Sequence, residues 1–180
     1  MITLKIAHQS RETALNLAAT IVAYARADLT EVGRDTDLQQ RLEQSLHDLV
    51  HEFCYHSRKA IERNAGGKAL PSFLADIRVH PKPSAALLAS NDLVVRVPLS
   101  SESFWWIVNR IVHSLDFAVL SNVKSIETVG DSVIWSNLDV GSLRLVSFRS
   151  DRDADDTLHY VDLEALVMTF ARDIVPLLVP

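Results

Sequence analysis

Two long stretches in the first third of the chain repeat apolar residues at helical spacing, and they constrain the fold more than any other feature. Residues 10–29 carry one apolar stripe, and Gly33 supplies a stop signal beyond it. Residues 38–61 carry a second stripe, and Asp35 or Asp37 stands where a helix cap is needed. The pattern predicts two helices, the second reaching about residue 64, each long enough to be an arm of a bundle.

The rest of the chain alternates strand-like and helical patterns. Residues 65–86 contain glycines and prolines typical of a connection, and residues 91–99 are rich in Val and Leu, as strands are. We predict a third helix over residues 101–120 with Ser101 as its cap. A hairpin of VIWSNLD and SLRLVSFRS follows, paired with residues 91–99, and a closing helix capped by Asp162. The expected fold is α+β, mainly α: a bundle of about four helices with a small antiparallel sheet of two to three strands.

Composition limits what such a chain does. Its 180 residues, 48% apolar and 23% charged, suit a single domain over residues 1–180. A net charge of −5 would repel a phosphate backbone, so any contact with nucleic acid must be local. A single cysteine, Cys54, and no apolar run of membrane-spanning length predict a cytoplasmic protein without a membrane partner. Phosphate-cradling and dinucleotide-binding glycine motifs are missing, and we expect no cofactor.

The most informative segment is FWWIVNRIVHSLDF, residues 104–117. On a helix, its apolar residues form one broad face that packs into the bundle. Asn109, His113 and Asp116 follow at i, i+4 and i+7 on the opposite face, and the side chains beside them are Trp105, Trp106, Phe117 and Arg110. Clustered rings mark an interface or a groove unless the chain's own sheet covers them. The row is therefore the candidate binding site, either for a ligand or for a second subunit.

Together with FCYHSRKAIERN in the second helix, this segment resembles the HEPN superfamily over about half of the chain. The resemblance implies a small helical bundle, commonly a homodimer, that acts as a metal-independent ribonuclease or binds RNA. The motif of that family has Arg, a polar residue, three variable residues and His. Asn109 and His113 match it, whereas Val108 replaces the Arg.

That departure shapes the functional prediction. The chemistry needs a cation beside the developing phosphate charge, while His moves the proton. We name His113, Asn109 and Arg58 as candidate catalytic residues, with Arg58 reaching across from the second helix. Because the motif cation is replaced, we expect binding of RNA or a protein partner without strong catalytic activity. The alternative is a non-enzymatic regulatory protein whose aromatic face is a subunit interface.

Three weaker patterns accompany this site. His47, His51 and Cys54 share a face of the second helix and form a possible zinc site, although the default expectation is no metal. The loop at residues 151–162 matches a calcium loop in part. Residues 57–82 hold six basic and two acidic residues, the one stretch where local charge favours nucleic acid.

Overall fold

The computed structural model describes residues 2–27, 35–63, 76–81, 95–98, 100–120, 124–129, 132–139, 145–150 and 159–178. Four helices lie in these ranges: α1 (Ile2–Arg26), α2 (Thr36–Glu62), α3 (Phe104–Val112) and α4 (Leu163–Thr169). A π-helical turn, Phe170–Ile174, and a 3-10 turn, Val175–Leu177, extend α4. Among the described residues helix outweighs strand, which confirms the predicted class, α+β and mainly α, with about four helices.

The described strands are β1 (Asp76–Pro81), β2 (Val95–Pro98), β3 (Ser100–Ser103), β4 (Ser114–Leu120), β5 (Lys124–Val129), β6 (Ser132–Asp139), β7 (Leu145–Ser150) and β8 (His159–Asp162). They form a three-stranded sheet of order β2-β6-β5 and a five-stranded sheet of order β3-β1-β8-β7-β4. Every pairing is antiparallel. The first sheet has the predicted size, and the second exceeds it.

The helix ends follow local hydrogen bonding. Of the two candidates Asp35 and Asp37, Asp35 caps α2 by accepting a bond from the Leu38 amide at 3.0 Å. Asp162 caps α4 through Ala165, as predicted. At α3 the cap is Ser103, whose hydroxyl accepts from Trp106, so the predicted cap Ser101 was wrong and lies in β3. Each cap satisfies an amide that has no partner within its helix.

The predicted third helix extends eight residues too far at its C-terminal end, and this is the main correction. It ends at Val112, and residues 114–120 form β4. The Ser114 hydroxyl donates to the Ile111 carbonyl at 2.8 Å, which satisfies a terminal acceptor and competes with continued helix. The row of Asn109, His113 and Asp116 is therefore broken, because Asp116 belongs to a strand, where its backbone pairs with Arg149.

Strand pairing also differs from the prediction. The hairpin of residues 133–139 and 142–150 was wrong, because β6 pairs with β5 and β2 whereas β7 pairs with β4 and β8. Val129 pairs with Ser132, so a two-residue connection closes the β5–β6 hairpin instead. The expected pairing of residues 91–99 with this region is confirmed by β2 and β6. Within the predicted connection 65–86, residues 76–81 form β1, and the remainder lies outside the described residues.

One buried cluster joins the helices to the larger sheet. Phe53 of α2, Phe104 of α3 and Phe170 of the π-helical turn have no exposed surface. Their rings meet at centroid distances of 5.5 to 6.5 Å, within the range of favourable aromatic pairs. Val146 and Phe148 of β7 belong to the same cluster. The core thus fixes α3 against α2 on one side and against the sheet on the other.

Candidate RNA-binding site

Arg58 and His113 come together where α2 passes the end of α3. Arg58 Nη1 lies 2.7 Å from His113 Nε2. The Arg58 side chain keeps 19% of its exposure, whereas His113 is exposed. Because a guanidinium only donates hydrogen bonds, His113 Nε2 accepts this one, and the neutral ring carries its proton on Nδ1. Two candidate residues from different helices, Arg58 of α2 and His113 at the end of α3, therefore form one polar site.

The position of His113 depends on how α3 ends. It is the C-terminal cap of α3, with φ −111° and ψ 21°, and its amide donates to the carbonyls of Arg110 and Ile111. The buried residues Ile107, Val108 and Ile111 anchor the preceding turn in the core. The backbone of His113 is consequently held at the end of α3, at the negative end of the helix dipole.

Glu62 completes the site from the next turn of α2. Its Oε1 accepts from Arg58 Nε at 2.8 Å, and its Oε2 accepts from Lys59 Nζ at 3.2 Å. Burial acts to raise the pKa of Glu62, but the hydrogen bonds and charges of Arg58 and Lys59 outweigh it and hold that pKa below its ordinary value. The carboxylate stays ionised and orients both cations. We did not predict this role of Glu62, although its spacing of four from Arg58 is the signal for such a pair.

The aromatic residues of α3 are largely covered by the chain itself. The ring centroids of Trp106 and His159 are 5.1 Å apart, and those of Trp106 and Phe148 are 6.3 Å apart. Trp105 is also half-buried against the core. The Arg110 guanidinium lies over the Trp106 ring, 5.0 Å from its centroid. The sequence left two possibilities for this aromatic face: cover by the chain's own sheet, or an interface or groove. For Trp106, the chain's own sheet provides the cover.

The structure places the other two residues of the predicted polar row, Asn109 and Asp116, on different elements. Asn109 is half-buried on α3, one turn before His113. Asp116 is in β4, and its side chain lies outside what the structure describes. Val108 has no exposed surface and packs in the core. A charge would be costly there, and the cation that lies beside His113 is Arg58 of α2.

The alternative zinc ligands do not converge on one another. Cys54 is fully buried, and burial raises the pKa of its thiol far above the ordinary value. The His47 ring packs on Phe117 with centroids 4.5 Å apart, and His47 Nδ1 lies 3.1 Å from Asp48. Within the described ranges no group of three His, Cys, Asp or Glu side chains is arranged to hold a metal ion. Of the partial calcium loop, residues 151–158 lie outside the described residues, and Asp162 is a helix cap.

Comparison of the chain with protein-family models, with curated proteins and with solved structures finds no match to any of them. None of the helices in the described part of the chain is both long and apolar enough to cross a membrane.

Proposed function

We propose that the chain binds RNA and that Arg58 and His113 hold one of its backbone phosphates. The observation that carries this proposal is the 2.7 Å contact between Arg58 Nη1 and His113 Nε2 at the surface between α2 and α3. A guanidinium is always charged and matches the geometry of phosphate oxygens. Its bonds to His113 and Glu62 use two of its five N–H donors, which leaves donors for an anion.

The charge around this pair supports a phosphate ligand. Lys59 shares the carboxylate of Glu62 with Arg58, so two cations surround one anion. A chain with a net charge of −5 needs such a local excess to approach RNA. The HEPN motif has an Arg where this sequence has Val108. The pair supplies a cation beside His113 from another helix. Arg58 takes this role from α2 because Val108 is committed to the core.

Binding is proposed without strong catalysis, and the hydrogen bond gives the reason. A general base must accept a proton from the attacking hydroxyl through an unoccupied nitrogen. His113 Nε2 already accepts from Arg58, and its other nitrogen carries the ring proton. The neutral imidazole is therefore arranged as a donor toward the ligand.

Following the resemblance, we propose a homodimer as the binding form. We also propose a cytoplasmic location, and the single, buried Cys54 agrees with a reducing compartment.

The aromatic face gives less support to the alternative, a regulatory protein that uses this face as its subunit interface. Trp106 packs on Phe148 and His159 of its own chain. An interface needs its rings available to the partner. Among the described residues at the end of α3, the exposed one is the polar His113, and we favour the RNA ligand.

The test is the affinity of a short single-stranded RNA, measured by fluorescence anisotropy at low salt. Arg58→Ala should weaken binding about tenfold or more, since hydrogen bonds to charged groups contribute about 1.5–3 kcal/mol. It should also reduce the slope of log affinity against log salt by about one unit. His113→Ala should weaken binding as well. Arg41→Ala, an exposed arginine toward the other end of α2, is the matched control and should bind as wild type.

The proposal fails if Arg58→Ala and His113→Ala both retain wild-type affinity and salt dependence. It also fails if Arg41→Ala weakens binding as much as Arg58→Ala, because the interaction would then follow total charge and not this site.

A further inference from the structure

The contact between Arg58 and His113 can exist in only one protonation state of the imidazole ring. Arg58 Nη1 donates to His113 Nε2 across 2.7 Å, and the guanidinium cannot act as an acceptor. An imidazolium carries an N–H on both nitrogens and accepts no hydrogen bond. When His113 takes up a proton on Nε2, this hydrogen bond is therefore lost, and two charged donors face each other.

An anion satisfies both of these donors at once. A phosphate oxygen that accepts from Arg58 Nη1 and from the protonated Nε2 of His113 makes two charge-assisted hydrogen bonds. Its negative charge attracts the imidazolium, whereas a neutral ring offers no such attraction. The affinity for the anion and the affinity for the proton are therefore coupled, and each ligand favours the other. His113 is exposed, so the proton can come directly from solvent.

The other charged side chains around His113 keep their charge in the pH range where imidazoles change theirs. Among the described residues, those on α2 and α3 are Arg58, Lys59, Glu62 and Arg110. Arginine and lysine side chains of ordinary pKa are protonated below pH 8. The pKa of Glu62 is held below its ordinary value, so the carboxylate remains ionised at pH 6 and above. Asp116 of β4 is an acid whose side chain lies outside what the structure describes.

A second histidine shares the face of α2 that carries Arg58. His51 precedes Arg58 by seven residues, which places it about 10 Å away along the helix axis. That separation is about one Debye length at 0.1 M salt, so its charge is largely screened from the phosphate site. The ring of His51 is exposed and lies 6.4 Å from the ring of Phe117. His51 is therefore the matched control for protonation at His113.

From this geometry we infer that the site takes up a proton together with the phosphate. In the free protein His113 is neutral and accepts from Arg58; in the complex it is an imidazolium that donates to the phosphate beside Arg58. The proton moves from solvent to Nε2, and the hydrogen bond between the two side chains is exchanged for two hydrogen bonds to the anion. This inference rests on the proposed RNA-binding function and adds its regulation, because RNA affinity then rises as the pH falls.

Isothermal titration calorimetry with 5′-hydroxyl oligouridine tests the coupling, because the charge of this probe is constant between pH 6 and pH 8. At about 0.1 M salt, wild type should bind about fivefold more tightly at pH 6 than at pH 8, the factor expected for opposite unit charges about 4 Å apart in water. The binding enthalpy should also depend on the ionisation enthalpy of the buffer, which reports uptake of up to one proton per site.

Two variants assign the proton to its residue. His113→Gln keeps hydrogen-bonding groups but cannot titrate, and it should bind with the same affinity at pH 6 and pH 8 and without buffer dependence. His51→Ala should keep both effects at their wild-type size. Far-UV circular dichroism at each pH checks that the variants fold.

The outcomes separate proton uptake from the phosphate site itself. If Arg58→Ala weakens binding but wild type binds equally at pH 6 and pH 8, the phosphate site stands and proton uptake is refuted. A pH dependence that persists in His113→Gln refutes it as well, because another group then titrates. If Arg58→Ala leaves the affinity unchanged at every pH, the proposed RNA site is wrong, and the inference fails with it.

Discussion

Glu62 is an anion that already occupies part of the proposed phosphate site, so its removal should affect RNA affinity and stability in opposite directions. Its two carboxylate oxygens accept from Arg58 at 2.8 Å and from Lys59 at 3.2 Å. Glu62→Gln keeps the size and one acceptor oxygen while removing the negative charge. We predict that this variant binds RNA more tightly than wild type and unfolds more easily.

Both magnitudes follow from the geometry. A phosphate on Arg58 would lie on the order of 4 Å from the Glu62 carboxylate, where like unit charges repel by about 1 kcal/mol in water. Removing that repulsion should tighten binding about fivefold. The two ion pairs of Glu62 have spacings of i,i+4 and i,i+3 with partly buried side chains. Losing them should lower the free energy of unfolding by about 0.5–1 kcal/mol.

The pH dependence of stability gives a second check on Glu62. Its folded pKa is lower than its ordinary value, so ionised Glu62 stabilises the fold above the unfolded pKa of about 4.3. That contribution is lost as the pH falls through the folded pKa. The stability difference between wild type and Glu62→Gln should therefore be complete at neutral pH and should shrink in acid below about pH 4.3.

Urea unfolding and RNA titration at low ionic strength measure the two effects on the same preparations. Glu43→Gln, a change of equal charge elsewhere on α2, is the control and should leave affinity near the wild-type value. The reasoning is refuted if Glu62→Gln binds RNA no more tightly than wild type, because the carboxylate would then not compete with the ligand for Arg58.

Three further predictions concern the fold. Phe53→Ala should lower the free energy of unfolding by about 3–5 kcal/mol, measured by urea denaturation, because Phe53 is fully buried between two other rings; Leu38→Ala, at a half-exposed position, is the control. Asp162→Ala should lower the free energy of unfolding by about 1 kcal/mol, measured by thermal unfolding, because the cap hydrogen bond is lost. Asp162→Asn should be at least as stable as wild type at neutral pH, because burial raises the pKa of the Asp162 carboxyl and so disfavours its charged form. Cys54 should react with a thiol reagent only at the rate of unfolding, because its thiol is fully buried and its pKa is raised.

Each of these has a clear contrary result. A loss under about 1 kcal/mol in Phe53→Ala would contradict the shared core of α2, α3 and the π-helical turn. Asp162→Ala as stable as wild type would mean that the Asp162 side chain contributes nothing as a cap. Rapid labelling of Cys54 in the native protein would place that face of α2 at the surface.

The parts of the fold that the sequence predicted depend on local interactions. The amphipathic stripes of α1 and α2 and the caps Asp35 and Asp162 involve residues within one or two turns of each other. Strand pairing depends on partners far along the chain. The segment from Ser114 to Leu120 continues the helical spacing of α3, and only its pairing with β7 makes it a strand.

The candidate site divides in the same way. Arg58 and His113 were identifiable as residue types that suit phosphate chemistry, and Arg58 was expected to reach across from the second helix. Their 2.7 Å contact depends on α3 ending at Val112, which no residue pattern indicated. Phe148 and His159, which support Trp106, come from β7 and β8 and were missed because their positions follow from sheet register.

The proposed function depends on the hydrogen bond from Arg58 to His113, and the ¹⁵N chemical shifts of the His113 imidazole measure it most directly. In alkaline solution, where imidazoles are neutral, the ring proton should reside on Nδ1 and Nε2 should show the shift of an acceptor. Arg58→Ala should remove that bias. A wild-type ring protonated on Nε2, with shifts that Arg58→Ala leaves unchanged, would contradict the site.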